Sequence, residues 1–123
     1  MINGMHAVVY TTKTDEMRAF FRDVLRFPCV DAGGGRLMFA LPRSEMATHP
    51  IEPGHEHHEL SLQCDDIAAT VAELRARGAA FSGDVTDRGW GLTIQMVLPD
   101  LTELMLYEPR HARAPQQSGS RAV

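Results

Sequence analysis

Apolar residues recur along this chain with two different periods, and the switches between them mark out the elements. His6-Ala-Val-Val-Tyr-Thr11 is β-rich and bounded by polar residues, which predicts a strand. Thr14 then stands where it can cap a helix whose first turn carries Asp15 and Glu16, the favourable charge sign at that end. Met17, Phe20, Phe21, Val24 and Leu25 follow the i, i+3, i+4, i+7, i+8 rule and give one broad apolar face. Pro28 stops the helix. Phe27 to Ala32 and Leu37 to Leu41 predict two strands joined by Gly33-Gly34-Gly35, a hairpin turn rather than a phosphate cradle, because no helix follows the glycines.

Pro42 to His58 is irregular, with three prolines, four histidines and scattered acids, and reads as the connection between two halves. The pattern then restarts. Glu59-Leu-Ser-Leu-Gln-Cys64 predicts a strand, and Asp65 or Asp66 caps a second helix with Ile67, Val71 and Leu74 on its inner face and Gly78 at its end. Ala80 to Thr86, Leu92 to Leu98 and Glu103 to Glu108 predict three further strands. The order strand, helix, strands thus repeats at an offset of about 53 residues, His6 falling on Glu59. A unit of that size cannot close its own core, so the two halves should pack together. Arg110 to Val123 is rich in Ala, Pro, Gln and Ser and reads as a loose tail.

Composition narrows the function classes. The 123 residues suffice for one core but not for two independent ones. A formal charge of −4 and the absence of any Lys/Arg block exclude a nucleic-acid surface, and no apolar run approaches the length of a membrane span. Met1 to Tyr10 has neither a basic start nor a long apolar stretch, so a cytoplasmic location is expected. Cys29 and Cys64 have no CxxC or zinc-type spacing and read as two buried thiols in a reducing cytoplasm. No Ser-His-Asp or Cys-His set has a supporting context, so nucleophilic catalysis has no basis.

The segment Leu98-Pro99-Asp100-Leu101-Thr102-Glu103-Leu104-Met105-Leu106-Tyr107-Glu108 resembles the closing hairpin of the vicinal oxygen chelate superfamily. That group includes glyoxalase I, bleomycin-resistance proteins, methylmalonyl-CoA epimerases and extradiol dioxygenases. Its usual wording there is Asp-Pro-Asp-Gly-Asn, one residue, an aliphatic, and then a metal-binding Glu. His6 opening the first strand, Phe20-Phe21-Arg-Asp-Val-Leu25, Cys64-Asp-Asp-Ile67 and Leu74-Arg-Ala-Arg-Gly78 add to the resemblance, which spans residues 4 to 110. Arg26 replaces the usual glycine after Leu25, Leu101-Thr102 replaces Gly-Asn, and Met105 replaces the ligand Glu. The resemblance implies an α+β fold of two βαβββ modules, eight strands in all, curved into a mixed-sheet cup. Module one would run 4–42, the connection 43–58 and module two 59–110, together one domain (1–110) followed by a flexible tail (111–123).

Residues two apart in a strand share a face. Glu59, Ser61 and Gln63 therefore form one set, and Glu103, Met105 and Tyr107 another, while Leu104 and Leu106 take the core. If His6 faces the cup, so do Val8 and Tyr10. By resemblance, this parity brings His6, Glu59 and Met105 to three ligand positions of the family. A thioether is a soft, neutral, weak donor that suits Mn, Fe(II) or Ni poorly beside a carboxylate. Two protein ligands rarely hold a catalytic ion, so His6 and Glu59 are expected to hydrogen-bond rather than bind metal. His55-Glu56-His57-His58 lies in a loop without regular ligand spacing and reads as a solvated turn, as do Asp100 (a turn residue) and Glu108 (a solvated strand end). Trp90, between Gly89 and Gly91, either walls a pocket or plugs the core.

The expectation is a small-molecule-binding protein of the glyoxalase/bleomycin-resistance type, a homodimer with an apolar cup lined by Tyr10, Gln63, Trp90, Glu103, Met105 and Tyr107. No tightly bound metal is expected. The rival is a lyase, isomerase or extradiol-type dioxygenase with a divalent Fe, Mn, Ni or Zn on His6 and Glu59. A third reading, an interaction module without a ligand, is disfavoured by the polar residues turned inward, because burying unused carboxylates costs stability.

Overall fold

The computed structural model describes residues 1, 5–112, 114 and 115. It is α+β, with two helices and six strands among the described residues. Helix α1 (Thr14–Ala19) continues directly into a π-helical turn, Phe20–Val24. Lys13, not Thr14, occupies the position before the helix, and no side chain caps it. The Thr11 hydroxyl instead accepts the Lys13 amide at 3.1 Å, one turn earlier than the sequence pattern placed the cap. The π turn closes with Leu25 N–H donating to the Phe20 carbonyl at 3.1 Å. It swings Phe21 onto Phe39 (ring centroids 5.7 Å apart, 68°) and Phe27 (6.3 Å, 11°), so the helix holds the following hairpin through aromatic edges and faces. Met17 and Phe20 are buried, as the periodicity requires.

Strands β1 (Cys29–Asp31) and β2 (Leu37–Phe39) form an antiparallel pair around the triple-glycine turn. All three glycines have positive φ, which is why no other residue type occupies them. The second half is complete: β3 (Ser61–Gln63), α2 (Ile67–Ala76), β4 (Ala80–Asp87), β5 (Gly91–Val97) and β6 (Glu103–Pro109). They build one mixed sheet in the order β3-β6-β5-β4, with β3 parallel to β6 and the other pairs antiparallel. The Asp66 carboxylate accepts Ala69 N–H at 3.1 Å and starts α2. Glu108, read in the sequence as a solvated strand end, does more. The parallel β3/β6 register brings its carboxylate to the same helix end, where it accepts Ile67 N–H at 3.0 Å.

The first half departs from expectation. Residues 5–11 form no strand, and the predicted strand from His6 to Thr11 runs unpaired, with Val8 56% and Tyr10 90% exposed. A strand exists only against a neighbouring strand. The neighbour would have to come from the 43–58 connection, whose Pro50 and Pro53 lack the N–H a ladder needs, and that stretch forms no strand either. Among the described residues six strands therefore stand where eight were expected. Thr11 still ties the segment down, its hydroxyl donating to the Asp100 carboxylate at 2.6 Å in the β5–β6 turn.

One core serves both halves. Ile94, Met96, Leu98, Leu104 and Leu106 from the sheet meet Ile67, Val71 and Leu74 of α2 and Met17 and Phe20 of the first helix. Arg77, just after α2, donates to the Val24 carbonyl at 3.1 Å and joins the two helical ends. Leu104 and Leu106 face this core, so Glu103, Met105 and Tyr107 are left on the opposite face.

Candidate functional site

That opposite face is built by register. Met105 lies between Ser61 on β3 and Gln95 on β5, and Tyr107 lies between Gln63 and Thr93. Helix α2 covers only the apolar side, and on this opposite face Gln63, Gln95, Met105 and Tyr107 are half-buried and Ser61 is exposed. Gln63 Nε2 donates both to the Tyr107 hydroxyl and, at 2.6 Å, to Glu45 Oε1. Thr93 is the one polar residue buried in the sheet at 2% exposure, and its hydroxyl accepts Arg88 Nε at 3.2 Å.

Trp90 borders the same face and resolves the choice left open by its sequence setting. It is 48% exposed and meets Tyr107 edge-on, with centroids 5.6 Å apart at 77°. It walls the face; it does not plug the core. Its glycine neighbours are structural. Gly89 has φ +85°, and a Cβ on Gly91 would sit 2.8 Å from the Glu108 carbonyl oxygen. On the far side of Tyr107 lies the His111 ring, 6.2 Å away and tilted by 39°.

Of the residues singled out in the sequence, Gln63, Trp90, Met105 and Tyr107 come together here. Glu103 opens β6 on the same face but is exposed, opposite Val97. Tyr10 and His6 lie in the unpaired 5–11 segment and are exposed. Glu59 precedes β3, also exposed, with its carboxylate 3.3 Å from His57 Nε2. The His55 carbonyl, and after it Glu59, hold the His57 imidazole above its usual pKa. Among the described residues no three His, Cys, Asp or Glu side chains are grouped to hold a metal ion, and Met105 offers only a thioether.

Two contributors escaped the sequence reading. Gln95 carried a signal, because period-2 parity on β5 puts it on the face of Thr93 and Val97. Glu45 carried none, lying in an irregular stretch that only the folded chain brings to Gln63. A separate cavity of about 370 Å³ opens between α1 and the β1–β2 turn, lined by Asp15, Arg18, Arg22 and Asp31 among others. It shares no residue with the Tyr107 face, and its arginines are already paired with Asp15 and Asp23.

The sequence model of the Glyoxalase/Bleomycin resistance protein/Dioxygenase superfamily matches residues 5–111. A comparison with curated proteins gives no match. Among solved structures, TnmS3, an antibiotic binding protein from Streptomyces sp. CB03234, is 21% identical with a TM-score of 0.57, over 85% of this chain and 99% of its own. A lactoylglutathione lyase from Agrobacterium tumefaciens is 14% identical, TM-score 0.58, over 81% and 88%. A glyoxalase/bleomycin resistance protein/dioxygenase from Nocardioides is 16% identical, TM-score 0.57, over 89% and 84%. At such identities the likeness is one of fold.

Proposed function

The chain belongs to the glyoxalase/bleomycin resistance protein/dioxygenase superfamily, and from that premise we propose that it binds a small organic molecule without a tightly held metal. The observation that carries this reading is the Trp90–Tyr107–Gln63 cluster on an open sheet face. Aromatic walls beside a few placed hydrogen-bonding groups are the usual make-up of a small-molecule site. The ligand would lie along Met105 and Tyr107, with Trp90 as a wall and Gln63 and Gln95 fixing its orientation. The likeness to an antibiotic binding protein supports a small organic molecule as the ligand.

We also propose that the protein is a homodimer in a reducing compartment. The unpaired 5–11 segment and the outward pair Val30–Met38, exposed by 64% and 47%, are apolar surface that a second copy would cover. Cys29, exposed rather than buried as the sequence suggested, and the half-buried Cys64 are both free thiols, consistent with that setting. Among the described residues no helix is long and apolar enough to cross a membrane.

The test combines two measurements on protein purified without a histidine tag. Elemental analysis should find well under one equivalent of any divalent ion. A panel of planar organic compounds should include at least one that both quenches Trp90 and raises the melting temperature. One equivalent of metal, lost on His6→Ala or Glu59→Ala, would replace this reading with the metal-dependent lyase or dioxygenase.

A further inference from the structure

We propose that Arg88 is the anion-binding end of the Trp90–Tyr107 face, so that the molecule taken there is a planar aromatic carrying a carboxylate. Arg88 follows β4, and its N–H donates to the Gly91 carbonyl at 2.8 Å, which closes the β4–β5 turn. Its side chain turns back onto the open face, where Nε donates to the Thr93 hydroxyl at 3.2 Å. Thr93 is the cross-strand partner of Tyr107, and Trp90 stands in the same turn as Arg88. The guanidinium is thereby set beside the aromatic pair.

Serving the buried Thr93 hydroxyl takes a single donor, and Nε supplies it. Both Nη groups, the fork that matches a carboxylate, are left over. Among the described residues the Arg88 guanidinium forms no ion pair and meets no acceptor except Thr93. Its neighbour Asp87 is committed elsewhere, to the Gly89 amide at 2.8 Å and to Arg110 at 3.0 and 2.8 Å. Holding Nε also fixes the plane of the fork, so less side-chain freedom is lost when an anion binds. Charge along the face gives the ligand a direction. Glu45 holds the Gln63 amide on the β3 side of Tyr107, and Glu103 stands at the far end of β6, roughly 13 Å from Tyr107 along the strand. A carboxylate is therefore drawn to Arg88 and repelled from the other two sides, while its ring meets Trp90 and Tyr107.

This inference rests on the ligand reading above, and the test separates the two. The probes are naphthoate and indoleacetate, each matched with its neutral carboxamide and titrated into the full chain. Binding is read from the indole N–H resonance of Trp90, the single tryptophan. In the unaltered protein each carboxylate should bind about tenfold tighter than its amide, as a hydrogen bond between charged groups allows. Salt at about 1 M, where the screening length is about 3 Å, should cut that preference to about threefold or less, an arm that needs no variant. Arg88→Gln should erase the preference and leave amide binding within about twofold. Arg75→Gln makes the same charge change on α2, where Arg75 lies 5.4 Å over the Phe81 ring, and should leave the preference intact. Equal affinities of acid and amide in the unaltered protein, a preference that survives Arg88→Gln, or an equal loss in Arg75→Gln would overturn this inference and leave the ligand reading standing. A Trp90 resonance unmoved by every probe would overturn both.

Discussion

Trp90, in the turn that links β4 to β5, stands edge-on to Tyr107 of β6, and the contact depends on the two glycines beside it. Gly91 can take no side chain, because a Cβ would meet the Glu108 carbonyl oxygen at 2.8 Å. Gly91→Ala should therefore cost about 2 kcal/mol, as overpacking does, and shift the emission of this single tryptophan. Trp90→Ala, which removes a half-exposed ring, should cost less than about 1.5 kcal/mol yet weaken ligand binding. Chemical denaturation of both variants decides this. A melting collapse in Trp90→Ala alone would return the residue to the core.

Two methionines on neighbouring strands test the face assignment. Met96 is fully buried, at 0% exposure, and Met105 looks away from the core. Met96→Ala should lose about 2–5 kcal/mol through the cavity it leaves. Met105→Ala should stay within about 1 kcal/mol of the parent. Equal losses in urea unfolding would show that β6 is read in the wrong register.

Arg26 and Leu101 are, among the described residues, the two non-glycine positions with positive φ, at +58° and +71°. Both stand where the related hairpin and helix end usually carry glycine. Here the backbone conformation persists while the residue that adopts it freely is gone. Arg26→Gly and Leu101→Gly should each stabilise by about 0.5–1 kcal/mol, less the entropy glycine costs the unfolded chain. Lying in separate turns, the two gains should add. Unchanged or lower melting temperatures in both would mean the strain is relaxed in solution.

The turn after β5 sets an acid dependence. The Thr102 hydroxyl, then the Thr11 hydroxyl, then the Thr102 amide hold the Asp100 carboxyl below its ordinary range. A lowered folded pKa contributes stability above the unfolded value, near 3.9, and loses it as pH falls through the folded one. Asp100→Ala should thus melt below the parent at neutral pH, and the two curves should converge in strong acid. The same sign holds for Asp87, lowered first by the Gly89 amide and then by Arg110. A gap between Asp100→Ala and the parent that persists undiminished at pH about 2 would count against this account.

Much of the fold was legible because its signals are local. Asp66, Gly78, the 33–35 glycines and the alternation in β5 and β6 each specify their own element, and the helix faces followed from spacing alone. Parity alone places Leu104 and Leu106 toward the core and Met105 and Tyr107 on the opposite face. Thr14 was misplaced by one residue, since it is the first residue of the helix and no side chain caps that end. The strand from His6 failed for a different reason. Its residues have β character, but pairing is a property of two segments, and the 43–58 stretch offers no ladder.

Period thus determined the order of elements, the α2–β6 half and the residues on its open face, because those depend on which residues lie two, three or four apart, while the class of protein followed from the resemblance of the closing hairpin and its companion motifs. What only the tertiary structure decided are meetings between distant segments: Glu45 on Gln63, Glu108 on the start of α2, Thr11 on Asp100. No sequence period reports such contacts, since they are set by how the sheet register and the turns bring loops of unrelated spacing to one point.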